Sequence, residues 1–150
     1  MNKNLIFIGQ SGVGKTTLRQ VLCHEEPHYQ KTQTVQAQAH IIDTPGEFLE
    51  RRQMNCNLLV SSHDADMLIL VEKADAQQMF FSPGFVSMFP LPAIGVVTKI
   101  DIQPDDRQAR FRLIYAGVNK IFSVSCTTGQ GLDELRRYLA EFGYEGDLTV

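Results

Sequence analysis

The sequence predicts a single doubly wound α/β domain, with a central, mainly parallel sheet and helices on both faces. Two observations support this prediction. Short apolar runs alternate along the chain with segments of helical periodicity, and a glycine-rich loop joins the first run to the first helix. The chain of 150 residues is long enough for one hydrophobic core. We therefore expect residues 1–150 to form one domain, without a linker or an internal repeat.

Five apolar runs have the length and composition of buried parallel strands. A polar stretch between the first two, His28–Gln38, predicts a loop with a weak edge strand. Strands that alternate with helices form a parallel sheet covered on both faces. The five predicted strands are Leu5–Gly9, His40–Asp43, Met67–Glu72, Ile94–Thr98 and Lys120–Ser125.

Helical spacing fills most of the intervals between these runs. The first helix begins at the glycine-rich loop and ends before Pro27, because a helix rarely continues into a proline. Gly117 and Gly143 are placed to end the last two helices. The later helices are predicted over Glu47–His63, from Pro104 through Tyr115, and over Leu132–Phe142.

An aromatic segment, Phe80–Phe89, takes the place of a long helix between the third and fourth runs. It contains Phe80, Phe81, Phe85 and Phe89 together with Met88. Two interpretations stay open for these side chains. They fill the core locally, or they form a surface for a partner protein.

Composition excludes several classes of function. The net charge is −3 and the pI is about 5.8, so nucleic acid is not favoured as a partner. The three cysteines, Cys23, Cys56 and Cys126, have no C-x-x-C spacing, which argues against a disulfide framework or a zinc site and for a reducing, cytoplasmic compartment. No run of 18 apolar residues and no terminal prenylation cysteine is present, so we expect no membrane anchor.

The glycine-rich loop is a phosphate loop by its sequence: it matches G-x-x-x-x-G-K-[ST]. Its glycines let the backbone wrap a phosphate chain with the N–H groups pointing inward, and the following helix N-terminus adds positive potential. Lys15 would reach the β and γ phosphates, and the Thr16 hydroxyl would bind Mg²⁺. The predicted nucleotide-binding residues are Gly9, Gln10, Ser11, Gly12, Val13, Gly14, Lys15, Thr16 and Thr17.

Two further motifs follow later strands. In DTPGE, Asp43 suits a water-mediated Mg²⁺ ligand, and the Gly46 N–H is placed to sense a γ-phosphate. In TKID, Asp101 can accept hydrogen bonds from guanine N1–H and N2–H₂, a donor pair that adenine lacks, while the Lys99 stem would cover the base. The next strand ends in Ser125-Cys126, which would offer a backbone N–H to guanine O6.

Glu47 is, with Lys15, the candidate catalytic residue. Hydrolysis needs an oriented water and stabilisation of charge at the γ-phosphate, and an ionised glutamate can accept hydrogen bonds but cannot donate them. Three interpretations stay open. Glu47 pairs outward with Arg51 at i, i+4, or it is a misplaced charge that makes hydrolysis slow, or it acts as a base.

In this order along the chain, the motifs resemble the P-loop proteins of the Ras-like small GTPase family. The resemblance runs from Asn4 to about Phe142 and has three departures. Thr98 stands in place of the family's Asn, which we expect to loosen a strand-end hydrogen bond, and Cys126 stands in place of its Ala. The stretch before DTPG is short, and within it Thr32 or Thr34 would be the switch threonine that meets Mg²⁺, with Thr32 favoured.

A narrower resemblance connects the chain to the EutP/PduV proteins. It is carried by HYQKTQ (28–33), DTPGEFLE (43–50) and FSPGF (Phe81–Phe85) around the phosphate loop. The family implies a role in ethanolamine or propanediol utilisation, associated with a bacterial microcompartment. It also implies GTPase-like nucleotide binding or an acetate kinase activity that forms ATP from acetyl phosphate and ADP.

These observations predict Mg²⁺-dependent binding of GTP or GDP with slow hydrolysis. The first alternative is an acetate kinase using ATP and ADP, for which Lys31, Arg51 and Arg52 are the nearby cations. The second is a scaffold that the nucleotide stabilises and that binds a microcompartment shell protein through Phe80–Phe89.

Overall fold

The structure, a computed structural model, describes residues 3–23, 36–38 and 40–144. Six strands form one sheet in the order β2-β3-β1-β4-β5-β6. The pairs β3–β1, β1–β4, β4–β5 and β5–β6 are parallel, and only β2 runs antiparallel, on β3. This confirms the predicted doubly wound, mainly parallel sheet and its edge strand. The strands are β1 (Leu5–Ile8), β2 (Gln36–Gln38), β3 (Ile41–Asp43), β4 (Met67–Lys73), β5 (Ala93–Thr98) and β6 (Ile121–Ser123).

Five α-helices and three 3₁₀ turns connect the described strands. The longest helix has 11 residues, and in the described part of the chain no helix is long and apolar enough to cross a membrane. The helices are α1 (Lys15–Leu22), α2 (Glu47–Glu50), α3 (Asn55–Ser61), α4 (Arg107–Ala116) and α5 (Leu132–Phe142), and the 3₁₀ turns are Arg52–Met54, Ser62–Asp64 and Phe85–Met88.

The core consists of two layers, one on each face of the sheet. Successive residues of β1 alternate between them: Leu5 and Phe7 join the layer under α1 and α5, while Ile6 and Ile8 join the layer under α4. Because side chains of a strand point alternately to opposite faces, a strand covered on both sides must be apolar throughout. The continuous apolar runs of the sequence therefore follow from helices lying on both faces.

The predicted helix over Glu47–His63 is wrong as one element. It divides into α2, a 3₁₀ turn, α3 and a second 3₁₀ turn, and Arg51 leaves the helical conformation with φ −109° and ψ 116°. The Asn55 side-chain amide, oriented to satisfy its neighbours, donates to the Phe48 carbonyl at 2.7 Å and the Arg51 carbonyl at 3.3 Å. A side chain that bonds the backbone in this way offers an alternative to the helical hydrogen-bond ladder.

Two other predicted boundaries shift inward. Helix α4 begins at Arg107 rather than Pro104, because the Asp105 carboxylate accepts the Arg107 N–H at 3.2 Å and holds the preceding residues in a turn. Strand β6 covers Ile121–Ser123 instead of Lys120–Ser125. The predicted stops at Gly117 and Gly143 are confirmed, since both adopt the left-handed conformation that ends a helix.

The aromatic segment supplies core. Phe81, Phe85 and Phe89 are buried, and their rings pack edge-on and tilted at centroid distances of 5.3 and 5.4 Å. They join the layer formed with α4. Of the two interpretations, local core filling holds for these three rings, and Met88 remains exposed.

Candidate functional site

The phosphate loop leaves the carboxyl end of β1 and closes where α1 begins. Gly12 and Gly14 have φ values of 82° and 94°, in the left-handed region that favours glycine. At Gly9 the limit is space, because a Cβ atom there would lie 2.5 Å from the Val71 carbonyl oxygen. The shape of the loop therefore requires the glycines of the motif. Because the loop follows the carboxyl end of β1, it lies at the sheet edge where ligands of open α/β folds bind.

Lys15 lies inside the loop and is nearly buried. Its Nζ donates to the carbonyl oxygens of Gly9 at 2.7 Å and Gln10 at 3.0 Å. Burial lowers the pKa of Lys15 to about 8, and the nearby Asp43 and Glu50 carboxylates oppose that shift. A cation that has lost its hydration gains most from an anionic ligand, so the loop is prepared for a phosphate chain.

Asp43 and Thr16 meet beside this lysine. The Thr16 hydroxyl donates to Asp43 Oδ2 at 2.6 Å, which joins the start of α1 to the end of β3. The neighbouring Thr44 hydroxyl donates to the Phe7 carbonyl at 2.7 Å and fixes the DTPGE segment against β1. Two of the three predicted metal ligands are thus brought together, whereas the third, Thr32, and its alternative Thr34 lie outside the described residues.

The DTPGE segment closes directly on the phosphate loop. A Cβ atom on Gly46 would lie only 2.1 Å from the Ser11 nitrogen, so no larger residue fits there in this arrangement. The Ser11 N–H in turn donates to Glu50 Oε1 at 2.6 Å. Glu50 was not among the predicted site residues, although its position one helical turn after Glu47 was a signal that it faces the same side.

The TKID and Ser125-Cys126 motifs meet at the other end of the loop. Asp101 Oδ1 accepts a hydrogen bond from the Ser125 hydroxyl at 2.9 Å. The Lys99 ammonium donates to the Gly12 carbonyl at 2.8 Å, which connects TKID to the phosphate loop. A cavity of about 250 Å³ lies between these motifs, lined by Gly12, Gly14, Thr17, Thr98, Lys99, Asp101, Ile102, Cys126 and Thr127.

Thr98 keeps the strand-end hydrogen bond that its departure from the family pattern was expected to loosen. Its hydroxyl donates to the Val13 carbonyl at 2.5 Å, and the side chain is buried. The threonine hydroxyl therefore joins the end of β5 to the phosphate loop. Lys99 follows with φ 64°, a left-handed conformation that is strained for a side-chain-bearing residue and turns the chain towards the cavity.

Cys126 of the Ser125-Cys126 pair lines the cavity. The Ser125 N–H already donates to the Gln130 carbonyl at 2.9 Å, which leaves the Cys126 N–H as the candidate donor. Burial and the Asp101 charge raise the pKa of the Cys126 thiol to about 11. The thiol is therefore neutral at pH 7 and unreactive as a nucleophile.

Comparison with known proteins decides the family. The family model for ethanolamine utilisation and propanediol utilisation proteins, PduV-EutP, matches residues 2–141. This chain belongs to that family. The propanediol utilization protein PduV of Citrobacter freundii is 42% identical over 139 residues, which cover 91% of this chain and 93% of that protein. A protein named "Probable acetate kinase EutP" in Salmonella typhimurium (strain LT2) is 31% identical over 143 residues, covering 92% and 89%.

This PduV-EutP member shares its fold with solved structures, among them Era. The crystal structure of Era, in complex with MgGDPNP and a segment of 16S ribosomal RNA, superposes with a TM-score of 0.64 at 21% identity. The match covers 96% of this chain and 57% of Era, so the chain spans little more than half the length of that protein. At this level of identity the comparison establishes the fold.

Glu47 does not form the predicted ion pair. It is half-buried, and among the described residues no ion pair joins it to Arg51. The i, i+4 pairing assumed a continuous helix, and α2 ends at Glu50 before Arg51 turns into extended backbone. The misplaced-charge and base interpretations stay open.

A second acidic residue missed by the sequence analysis lies behind the phosphate loop. Glu72, at 2% exposure, accepts hydrogen bonds at Oε1 from Gln10 Nε2 at 3.0 Å and from the Lys73 N–H at 3.1 Å. Burial raises the pKa of its carboxyl group. Glu72 therefore positions Gln10, whose carbonyl accepts the Lys15 ammonium. A charged residue inside an apolar strand was the available signal.

Proposed function

We propose that this PduV-EutP protein binds a guanine nucleotide with Mg²⁺ and hydrolyses the triphosphate slowly. The observation that carries the proposal is the arrangement of two sites along one cleft. The phosphate loop with Lys15 forms one end, and Asp101 with Ser125 forms the other, connected by the bond from Lys99 to Gly12. A nucleotide has the same two parts, an anionic chain and a hydrogen-bonding base.

The preference for guanine rests on Asp101. An ionised carboxylate accepts hydrogen bonds and cannot donate them, so it matches the N1–H and N2–H₂ donors of guanine and not the ring of adenine. The Ser125 hydroxyl holds one carboxylate oxygen and orients the group. Era, whose fold this chain shares, was crystallised with MgGDPNP, which supports the same class of ligand.

The residues present fit Mg²⁺. Thr16 and Asp43 provide a hydroxyl and a carboxylate in contact at 2.6 Å, and hard oxygen ligands of this kind suit that ion. When bound, Mg²⁺ neutralises charge on the β and γ phosphates. Thr16 and Asp43 would hold it, with Lys15 providing the second positive charge at the phosphate chain.

The expectation of slow hydrolysis rests on Glu47, which we assign to the triphosphate end of the site. Glu47 is half-buried, and as a carboxylate it has no hydrogen to donate to the phosphoryl group that is being transferred. A negative charge beside an anionic transition state opposes the reaction. Membership of the PduV-EutP family supports a role in ethanolamine or propanediol utilisation, where we propose association with the microcompartment. A shell-protein contact through Phe80–Phe89 would have to use Met88 and neighbouring exposed atoms, since Phe81, Phe85 and Phe89 are buried.

A second candidate is phosphoryl transfer between acetyl phosphate and ADP. It is favoured by the Salmonella relative named as a probable acetate kinase. The structure adds that the phosphate loop accommodates a carboxylate, since the Ser11 N–H holds the Glu50 side chain. In the direction that consumes ATP, acetate attacks the γ-phosphate, and because acetate is ionised at neutral pH it needs no general base. Glu47 therefore does not distinguish the two activities.

One coupled assay tests both candidates. Purified protein with Mg²⁺ is given GTP, ATP, or ADP plus acetyl phosphate, and released phosphate and new ATP are measured separately. We expect slow phosphate release from GTP and little from ATP. ATP formed from ADP and acetyl phosphate, faster than GTP is hydrolysed, would replace the first proposal by the second.

A further inference from the structure

Glu50 occupies a position that the proposed function does not require. It is the last residue of α2, its side chain lies on the surface, and its Oε1 accepts the Ser11 N–H at 2.6 Å. Ser11 belongs to the phosphate loop, whose N–H groups normally point towards bound phosphate. A carboxylate of this chain is thus bound to a group that a nucleotide would use.

Two neighbours identify which end of the phosphate chain Glu50 approaches. Gly46, the residue placed to sense a γ-phosphate, packs on Ser11 so closely that a Cβ atom would lie 2.1 Å from the Ser11 nitrogen. The Glu50 charge also acts on the Lys15 ammonium, which serves the β and γ phosphates. The carboxylate therefore lies at the triphosphate end of the site, away from Asp101 and the base.

We infer that Glu50 is a specificity-determining residue that makes the site prefer nucleoside diphosphates over triphosphates. The inference rests on the proposed function in one respect, that a nucleotide binds at the phosphate loop. A γ-phosphate would bring its negative charge towards the Glu50 carboxylate and towards the same Ser11 N–H. A diphosphate ends before that point and leaves the Glu50 contact in place.

The physical basis is competition between two anions for one set of donors. Like charges a few ångströms apart repel at a protein surface as well, more strongly than they do in bulk water. Binding a triphosphate therefore requires Glu50 to release Ser11 and turn outward. Because the Glu50 side chain is exposed, it can rotate into solvent without a change in the backbone of α2.

A purely structural role for Glu50 makes a different prediction. If the carboxylate only satisfied the Ser11 N–H and shaped the loop, removing it would change the affinity for diphosphate and triphosphate by the same factor. The ratio of the two dissociation constants therefore separates specificity from loop support. The conservative substitution Glu50→Gln removes the charge and keeps both the size and an oxygen able to accept the Ser11 N–H.

The experiment is calorimetric titration of GDP and of the non-hydrolysable analogue GMPPNP, with Mg²⁺ in excess, into wild type, Glu50→Gln and Glu50→Ala. ADP and AMPPNP are titrated in parallel. The matched control is Glu141→Gln, which removes one exposed carboxylate from α5, remote from the loop in sequence and on another element. Melting temperatures without nucleotide check that each variant is folded.

We expect wild type to bind GDP about tenfold more tightly than GMPPNP, and both Glu50 variants to tighten GMPPNP binding about tenfold while GDP changes less than about twofold. Glu141→Gln should match wild type. An equal change for both ligands, or weaker GMPPNP binding in the variants, would overturn the inference while leaving the nucleotide site intact. If no protein binds any of the four nucleotides, the proposed function itself fails. The wild-type ratio tests the inference even if a variant does not fold.

Discussion

Replacing Asp101 by Asn should convert the base preference from guanine to xanthine. The carboxylate lies in the cavity at the end of TKID and is oriented by the Ser125 hydroxyl at 2.9 Å. Asparagine keeps its shape but presents one donor group. Xanthine has a carbonyl oxygen where guanine has its N2 amino group, so the asparagine amide can donate to xanthine and would oppose guanine.

The magnitude follows from the lost charge. Hydrogen bonds to a charged partner contribute about 1.5–3 kcal/mol, and Asp101 would make two to the same base edge from an exposed position. We expect the GDP dissociation constant to rise by an amount equivalent to about 2–3 kcal/mol, or roughly 30- to 150-fold. Xanthosine diphosphate should bind the variant more tightly than GDP does.

Competition titration of GDP, xanthosine diphosphate and ADP into wild type and variant measures the change. Asp105→Asn is the matched control, because Asp105 undergoes the same chemical change while its carboxylate pairs with Arg107, outside the cavity lining. That control should leave GDP affinity unaltered. Wild type that binds ADP as tightly as GDP, or an Asp101→Asn protein with unchanged GDP affinity, would refute the role assigned to Asp101 and favour the kinase.

Three further results are expected. Lys15→Ala should weaken nucleotide binding by about 10²-fold or more, because it removes the cation of the phosphate loop. It should leave the melting transition cooperative, because the ammonium group that is lost is a desolvated charge. Equal affinity of wild type and variant in calorimetry would contradict the phosphate-loop assignment. Glu47→Gln should speed single-turnover GTP hydrolysis about fivefold to tenfold if Glu47 is a misplaced charge, whereas a fall of roughly 10² would identify it as the base. Burial raises the pKa of Glu72 above its usual 4.5, so the folded state holds this proton more tightly and wild-type stability falls as pH rises from about 4.5 through the raised pKa. The melting temperature of Glu72→Gln should therefore gain on wild type with increasing pH, and a constant difference would show that Glu72 does not titrate in that window.

The parts of the site that the sequence predicted are those encoded in local patterns. Lys15 and Thr16 belong to a loop whose glycines are fixed by its own geometry, and Asp43 and Asp101 stand directly after apolar runs. Since the strands before them are parallel, their carboxyl ends meet at one edge of the sheet. The proximity of these side chains at that edge follows from the fold class, without any knowledge of individual contacts.

Contacts between distant segments were beyond such patterns. The Glu50–Ser11 and Glu72–Gln10 hydrogen bonds join residues 39 and 62 positions apart, and the local signals at these glutamates do not identify a partner so distant in sequence. The break at Arg51 was missed for a related reason. Apolar periodicity predicts which face is buried but not that the Asn55 amide bonds the Phe48 and Arg51 carbonyls.

Glu50 and Glu72 both contact the phosphate loop, but we expect them to affect nucleotide affinity differently. In the structure, backbone carbonyls hold the Lys15 ammonium, and Glu50 holds the Ser11 N–H. A bound phosphate chain would replace the Lys15 contacts, and a γ-phosphate would also replace the Ser11–Glu50 contact, so the affinity measures the new bonds minus the old ones. Glu72 holds Gln10 from behind the loop in a buried position that a phosphate does not reach, so its contact is retained. The effect of a Glu50 substitution on affinity should therefore depend on how many phosphates the nucleotide carries. A Glu72 substitution should change the affinity for diphosphate and triphosphate alike.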